Sequence, residues 1–107
     1  MTRPRVEILY FEGCPNHESA RVLVERVAAA LGVEPELELV EVVDADAAER
    51  LRFLGSPTVR VEGVDVEPGA AGRADFVLSC RVYRGADGLS GQPDEGWVRD
   101  ALAKVAA

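Results

Sequence analysis

One segment decides how this chain folds: Tyr10-Phe11-Glu12-Gly13-Cys14-Pro15-Asn16-His17. An apolar strand pattern ends at Phe11, Gly13 interrupts it, and a helix pattern begins at Pro15. A cysteine at a helix start lies near unpaired backbone N–H groups and the positive end of the helix dipole. Both favour the thiolate over the thiol, so the sequence predicts a reactive Cys14.

Hydrophobic patterns on both sides of this segment predict the element order β-α-β-α-β-β-α. Val6 to Phe11 is almost continuously apolar, which favours a strand buried on both faces. Apolar residues then recur every three or four positions as far as Leu31, and Gly32 ends that helix. The other predicted elements are a strand at Leu37 to Val43, a short helix capped by Asp44 or Asp46, a hairpin of Thr58 to Glu62 with Val64 to Glu67, and a helix after Pro93.

Length and charge narrow the class of protein. The 107 residues suffice for one domain with a core, and 48% apolar with 29% charged residues is typical of a folded chain. The net charge of −7 argues against nucleic acid or an anionic membrane as partner. We see no signal peptide and no apolar run of about 20 residues, the length of a membrane span. We therefore expect a cytoplasmic protein whose two cysteines are free, catalytic or metal-binding rather than joined in a permanent structural disulfide.

The element order and three motifs resemble the thioredoxin superfamily. The motifs are ILYFEGCPNH (residues 8–17), LGSPTVRVEG (54–63) and LSCRVY (78–83). They are also similar to small bacterial thioredoxin-like proteins, some of which are labelled alkylmercury lyase-like. The resemblance implies one α/β domain over residues 1–107, with a mixed four-stranded sheet and an irregular insertion at 68–92 before the last helix. It further implies a cis bond before Pro57, beside Cys14.

The motif at Cys14 differs from the Cys-x-x-Cys of the superfamily, because His17 stands where the second cysteine would be. In that motif the second thiol resolves the mixed disulfide formed by the first. The resemblance implies a thiol-dependent oxidoreductase with Cys14 as nucleophile and Pro57 shaping the site. Cys80 is the candidate resolving thiol. Its substrate would be a thiol or disulfide, in a protein or a small molecule, and no cofactor is indicated.

Two other functions stay open. Cys14 and Cys80, with or without His17, could hold a thiophilic metal ion or a mercurial, because thiolates select such metals. Cleavage of a mercurial would also need a proton donor, for which Asp75 is a candidate. Alternatively, the chain is a redox-inert binding module whose edge at Ser56-Pro57-Thr58 pairs with an extended peptide.

Structural roles compete with these functional ones. Cys14 could be an inert buried cysteine, and Cys80 could fill space between Leu78 and Val82. Trp97 and Tyr83 are interpreted as core residues rather than interaction anchors, since Trp97 lies on the apolar face of its helix.

Overall fold

Residues 3–106 form a mixed four-stranded sheet, three α-helices and a separate two-stranded hairpin. The computed structural model describes residues 3–106. The elements are β1 (Arg5–Tyr10), α1 (His17–Leu31), β2 (Glu36–Glu41), α2 (Ala45–Arg50), β3 (Thr58–Val61), β4 (Val64–Asp65), β5 (Tyr83–Gly85), β6 (Gly88–Ser90) and α3 (Glu95–Ala106). No helix in this part of the chain is long and apolar enough to cross a membrane.

The strand order of the large sheet is β2-β1-β3-β4. β1 and β2 are parallel, and Tyr10 at the end of β1 lies opposite Glu41 at the end of β2. β3 runs antiparallel to β1, so that Leu9 lies opposite Thr58. The last residues of β1 and β2 and the first of β3 therefore share one end of the sheet. Because β1 leads directly into Cys14, we call it the Cys14 end.

Helices cover both faces of this sheet. α1 and α3 pack on the face that carries the larger core, which contains Val6, Ile8, Val59, Val61, Leu23, Val24, Val27, Val98 and Leu102. α2 lies on the other face, where Ala47 and Ala48 pack with Leu9, Val42 and Phe53. Full burial of each aliphatic side chain contributes about 1.5–3 kcal/mol. The predicted mixed α/β architecture is confirmed at this level.

The ends of the first two helices follow local chemistry. Asp44 caps α2, because its Oδ1 accepts the N–H of Ala47 at 2.8 Å, as predicted. Gly32 ends α1 with φ at 71°, a left-handed conformation that favours glycine. α1 begins at His17 rather than at Pro15, because Pro15 and Asn16 form a turn before it.

The hairpin of β3 and β4 is confirmed, although its strands are shorter than predicted. Glu62 and Gly63 connect them with φ values of 51° and 81°, and two left-handed residues in succession match the twist of the strands. Glu62 is held in this unusual conformation partly by its carboxylate, which accepts the N–H of Arg5 at 2.6 Å.

Residues 68–92 contain more structure than the predicted irregular insertion. They include a single 3₁₀ turn at Ala70–Gly72 and the β5–β6 hairpin. Tyr83 begins this hairpin and is completely buried, with its ring centroid 6.2 Å from that of Trp97. Trp97 is half-buried and packs against the larger core, so the interpretation as a core residue is confirmed for Tyr83 and in part for Trp97.

Candidate thiol site

Cys14 lies in the turn between β1 and α1. Its N–H donates to the carbonyl of Phe11 at 3.1 Å, and Gly13 permits the turn with a φ of 97°. Only 4% of Cys14 is exposed. The side chain of Asn16 makes no capping hydrogen bond, so the first-turn N–H groups of α1 receive no acceptor from it. Cys14 thus lies in the turn before α1, two residues ahead of the N-cap Asn16, rather than directly at the helix start that the sequence predicts.

The side chain of His17, at the sequence position of the second cysteine in Cys-x-x-Cys, packs over this turn. Its Nδ1 lies 2.9 Å from the carbonyl oxygen of Cys14, which can only accept, so Nδ1 carries a proton. The ring stacks on Tyr10 with centroids 4.5 Å apart and planes inclined by 17°. Nε2 faces the carboxylate of Glu18 at 3.8 Å. His17 therefore donates a hydrogen bond to the backbone of Cys14, and its Nδ1 is not available to bond to the Cys14 thiol.

The loop before β3 lies at the same end of the sheet. The bond between Ser56 and Pro57 is cis, as the resemblance implies. Thr58 donates its hydroxyl to the carbonyl of Gly55 at 2.7 Å, and the hydroxyl of Tyr83 donates to the carbonyl of Pro57 at 2.5 Å. Burial raises the pKa of Tyr83 above its ordinary value, which keeps its hydroxyl protonated as a donor.

Cys80 joins this loop through an isolated parallel β-bridge with Ser56. The N–H of Ser56 donates to the carbonyl of Ser79 at 2.8 Å, and the N–H of Arg81 donates to the carbonyl of Ser56 at 2.9 Å. In this pattern the backbone groups of Cys80 point away from Ser56. The structure therefore brings Cys80 to the loop beside the Cys14 end of the sheet, and both cysteines are free thiols.

This bridge bears on two of the alternatives. Both backbone groups of Ser56 are bonded within the chain, so a peptide finds neither of them free at the predicted binding edge. The interpretation of Cys80 as a packing residue is wrong, because Cys80 is exposed and so are its neighbours Leu78 and Val82, at 36% and 65%.

Arg81 is a residue of this site that sequence reasoning missed. Its side chain is 1% exposed and forms ion pairs with Asp65 at 2.8 Å and Glu67 at 2.6 Å. It also donates to the hydroxyl of Thr58 at 3.0 Å and lies over the ring of Tyr83, 4.3 Å from the centroid. We call these five residues the Arg81 cluster. It fixes the chain directly after Cys80, and the alternating acids at positions 65 and 67 were its only sequence signal.

Gly55 permits the close approach of the Cys80 segment. Its φ is 123°, and a Cβ atom at this position would lie 2.9 Å from the Cβ of Arg81 and 3.2 Å from the carbonyl oxygen of Ser79. Both distances are shorter than ordinary van der Waals contact. A side chain at residue 55 would therefore push the segment away from Ser56.

The geometry gives less support to metal or mercurial chemistry. Within residues 3–106, no three side chains of His, Cys, Asp or Glu gather as a metal site, so Cys14, Cys80 and His17 do not form one. Asp75 pairs with Arg73 at 2.6 Å. The Arg73 guanidinium holds the pKa of Asp75 below its ordinary value, so Asp75 is a carboxylate and a poor proton donor.

No protein-family model matches this chain, and no curated protein is significantly similar to it in sequence. The function proposed below is therefore inferred from the geometry around Cys14 and Cys80.

Proposed function

We propose that this chain is a thioredoxin-like thiol–disulfide oxidoreductase in which Cys14 is the nucleophile and Cys80 the resolving thiol. The observation that carries the proposal is the bridge between Cys80 and Ser56. Ser56 lies two residues before β3, and β3 begins at the end of the sheet where β1 leads into Cys14. The only two cysteines of the chain thus belong to neighbouring segments.

The topology supports the thioredoxin-like part of this proposal. A parallel β1–β2 pair is extended by two antiparallel strands, with α1 and α3 on one face and α2 on the other. The resemblance noted for the sequence implies a mixed four-stranded sheet of this kind. It also implies that the reactive cysteine follows β1 and that a proline precedes β3, which are the positions of Cys14 and Pro57.

The reaction consists of two exchanges. The Cys14 thiolate attacks one sulfur of a substrate disulfide, whose S–S bond breaks. One half of the substrate leaves as a thiolate and the other half stays bonded to Cys14. The Cys80 thiolate then attacks the sulfur of Cys14, which forms a Cys14–Cys80 disulfide and releases the second half. Two electrons and the two thiol protons pass from the protein to the substrate, and an external thiol or dithiol restores the protein.

Trapping the first exchange tests these roles. In Cys80→Ser, incubation with oxidised glutathione should accumulate a mixed disulfide on Cys14, because the resolving thiol is absent. In Cys14→Ser, no turnover of the disulfide should follow, although the exposed Cys80 can be modified. Ser79→Ala is the matched control, since Ser79 contributes its backbone carbonyl to the bridge and its side chain is exposed. Mass spectrometry locates the adduct, and a Cys14 that stays unmodified in Cys80→Ser would refute its role as nucleophile.

A further inference from the structure

We propose that the backbone edge of Cys80 and Val82 docks an extended polypeptide that carries the substrate disulfide, which pairs there as an added β-strand. This inference rests on the proposed oxidoreductase function and names the substrate class for it. The sequence predicts a binding edge at Ser56, but Ser79 and Arg81 of the same chain already bond to the backbone of Ser56. The edge proposed here is the outer side of that Cys80 segment.

Unpaired backbone groups define this edge. The carbonyl of Ser79 and the N–H of Arg81 point towards Ser56 and bond to it. The backbone groups of Cys80 and Val82, which alternate with these residues, therefore point away from Ser56. In residues 3–106, neither the N–H of Cys80 nor the backbone of Val82 has a hydrogen-bond partner. The carbonyl of Cys80 accepts only the hydroxyl of Ser79, at 3.3 Å. An edge of this kind is a template for a further strand.

Exposed apolar side chains lie in the same segment of the chain. Val82 is 65% exposed, Val77 45% and Leu78 36%, and the exposed thiol of Cys80 lies between them in the chain. An extended polypeptide can use the backbone groups and cover these side chains at the same time. A helix satisfies its backbone bonds internally, and a small disulfide has no backbone to pair, so neither uses both features.

Charge and size argue against a second copy of this chain as the occupant. Each copy carries a net charge of −7, so two copies repel each other. The edge offers the backbone of two residues, whereas a stable dimer buries about 1,200 Å² or more in total. A segment of another polypeptide needs no such buried area, because the mixed disulfide formed during the exchange joins it covalently to the chain until the exchange is complete.

Val82→Pro tests the edge without removing an internal bond. Proline deletes the outward N–H of residue 82, for which the described residues provide no acceptor. Val82→Ile is the matched control, because it keeps the N–H, the β-branched shape and the apolar surface of residue 82. The probes are a short peptide of alternating Val and Thr with a central cysteine in mixed disulfide with thionitrobenzoate, and dithiobis(nitrobenzoate) alone. Both release the same chromophore on exchange.

We expect Val82→Pro to slow exchange with the peptide by about two- to tenfold, the effect of losing one hydrogen bond, and to leave dithiobis(nitrobenzoate) unaffected. Val82→Ile should match the unmodified chain. If Val82→Pro and the unmodified chain exchange with the peptide at equal rates, or if Val82→Pro slows both probes equally, the docking proposal is overturned. N-methylation of alternate peptide residues should slow exchange with the unmodified chain in the same way, and an unchanged rate there would also overturn it.

Two further outcomes are decisive. A dimer of the reduced chain in sedimentation that Val82→Pro dissociates would mean that a second copy occupies the edge, and would overturn the proposal. If the small probe produces no Cys14–Cys80 disulfide, the oxidoreductase function fails by itself. The docking would still be tested in that case, because the exchange rates of the peptide and its N-methylated form at Cys80 can be compared even without a Cys14–Cys80 disulfide.

Discussion

Cys80 and Ser56 form a parallel bridge between a cysteine late in the chain and the loop that leads into β3. Both hydrogen bonds of the bridge use the backbone of Ser56. Its N–H donates to the carbonyl of Ser79 and its carbonyl accepts the N–H of Arg81, the two residues on either side of Cys80. The side chain of Cys80 remains exposed while Cys14 is buried. The site therefore contains two thiols that differ in their exposure to solvent.

Gly55→Ala should displace the Cys80 segment. The added Cβ would lie 2.9 Å from the Cβ of Arg81, and the φ of 123° is unfavourable for alanine. We expect a loss of about 2–4 kcal/mol in the free energy of unfolding, measured with urea, and slower oxidation of Cys14 with Cys80.

Gly32→Ala separates backbone strain from displacement. Gly32 also has a positive φ, of 71°, but a Cβ there meets no atom within 4 Å among the described residues. It should lower stability by about 1 kcal/mol and leave thiol oxidation unchanged. If Gly55→Ala oxidises as fast as Gly32→Ala, the close packing of Arg81 on Gly55 does not position Cys80.

Tyr83→Phe should leave the carbonyl of Pro57 buried without its donor, at a cost of about 1–3 kcal/mol. The pH dependence gives a second measure. Because burial raises the pKa of Tyr83 in the folded state, its contribution is complete below the ordinary tyrosine pKa of about 10 and is lost as the pH rises above it. The difference in unfolding free energy between the two chains should shrink above that pH. A difference that grows instead would contradict the burial argument.

Asp94→Ala should destabilise the junction of the β5–β6 hairpin with α3. The Asp94 carboxylate accepts the N–H groups of Ala86 and Gly96, each at 2.8 Å, and these bonds hold the pKa of Asp94 below its ordinary value. The stabilisation is therefore present above the ordinary aspartate pKa of about 3.9 and is lost as the pH falls through the lower folded value.

Urea unfolding of Asp94→Ala and the unmodified chain should consequently differ at pH near 7 and converge in strong acid. Asp87→Ala is the control for removing a negative charge from the same hairpin, since Asp87 is exposed. A constant difference for Asp94→Ala across this pH range would show that the bonds do not depend on the carboxylate charge.

A bulky maleimide should distinguish the two thiols. Cys80 is exposed, whereas only 4% of Cys14 is, so the folded, reduced chain should be labelled at Cys80 first. With this bulky reagent Cys80→Ser should react more slowly than Cys14→Ser and should react faster once urea unfolds it, whereas Cys14→Ser should react at the rate of the unmodified chain. Peptide mapping after short reaction times identifies the labelled cysteine. Equal labelling of both cysteines in the folded chain would contradict the burial of Cys14.

The sequence predicted the parts of the fold that have a regular pattern. β1 follows from a continuous apolar run, α1 from apolar residues that recur every three or four positions, and the turn at Glu62-Gly63 from alternation on either side of it. The first turn of α1 was placed too early, because Pro15 suits both a helix start and the turn that it actually joins.

The position of Cys80 could not be read from a local pattern. Its bridge with Ser56 links residues far apart in sequence, and the contacts that hold it depend on a glycine without a side chain and on a buried arginine. Buried charges are uncommon unless paired, and no local sequence pattern shows that Arg81 is buried and paired with Asp65 and Glu67. The β5–β6 hairpin was missed because its strands have three residues each, too few to show alternation.

The most direct measurement is the disulfide formed when the reduced chain is oxidised mildly at low concentration. Digestion without reduction, followed by mass spectrometry, identifies the linked peptides. The predicted result is a Cys14–Cys80 disulfide within one chain, which requires their Cα atoms to approach within about 7 Å. Chains joined through Cys80 to Cys80, with Cys14 still reduced, would contradict the pairing of the two thiols.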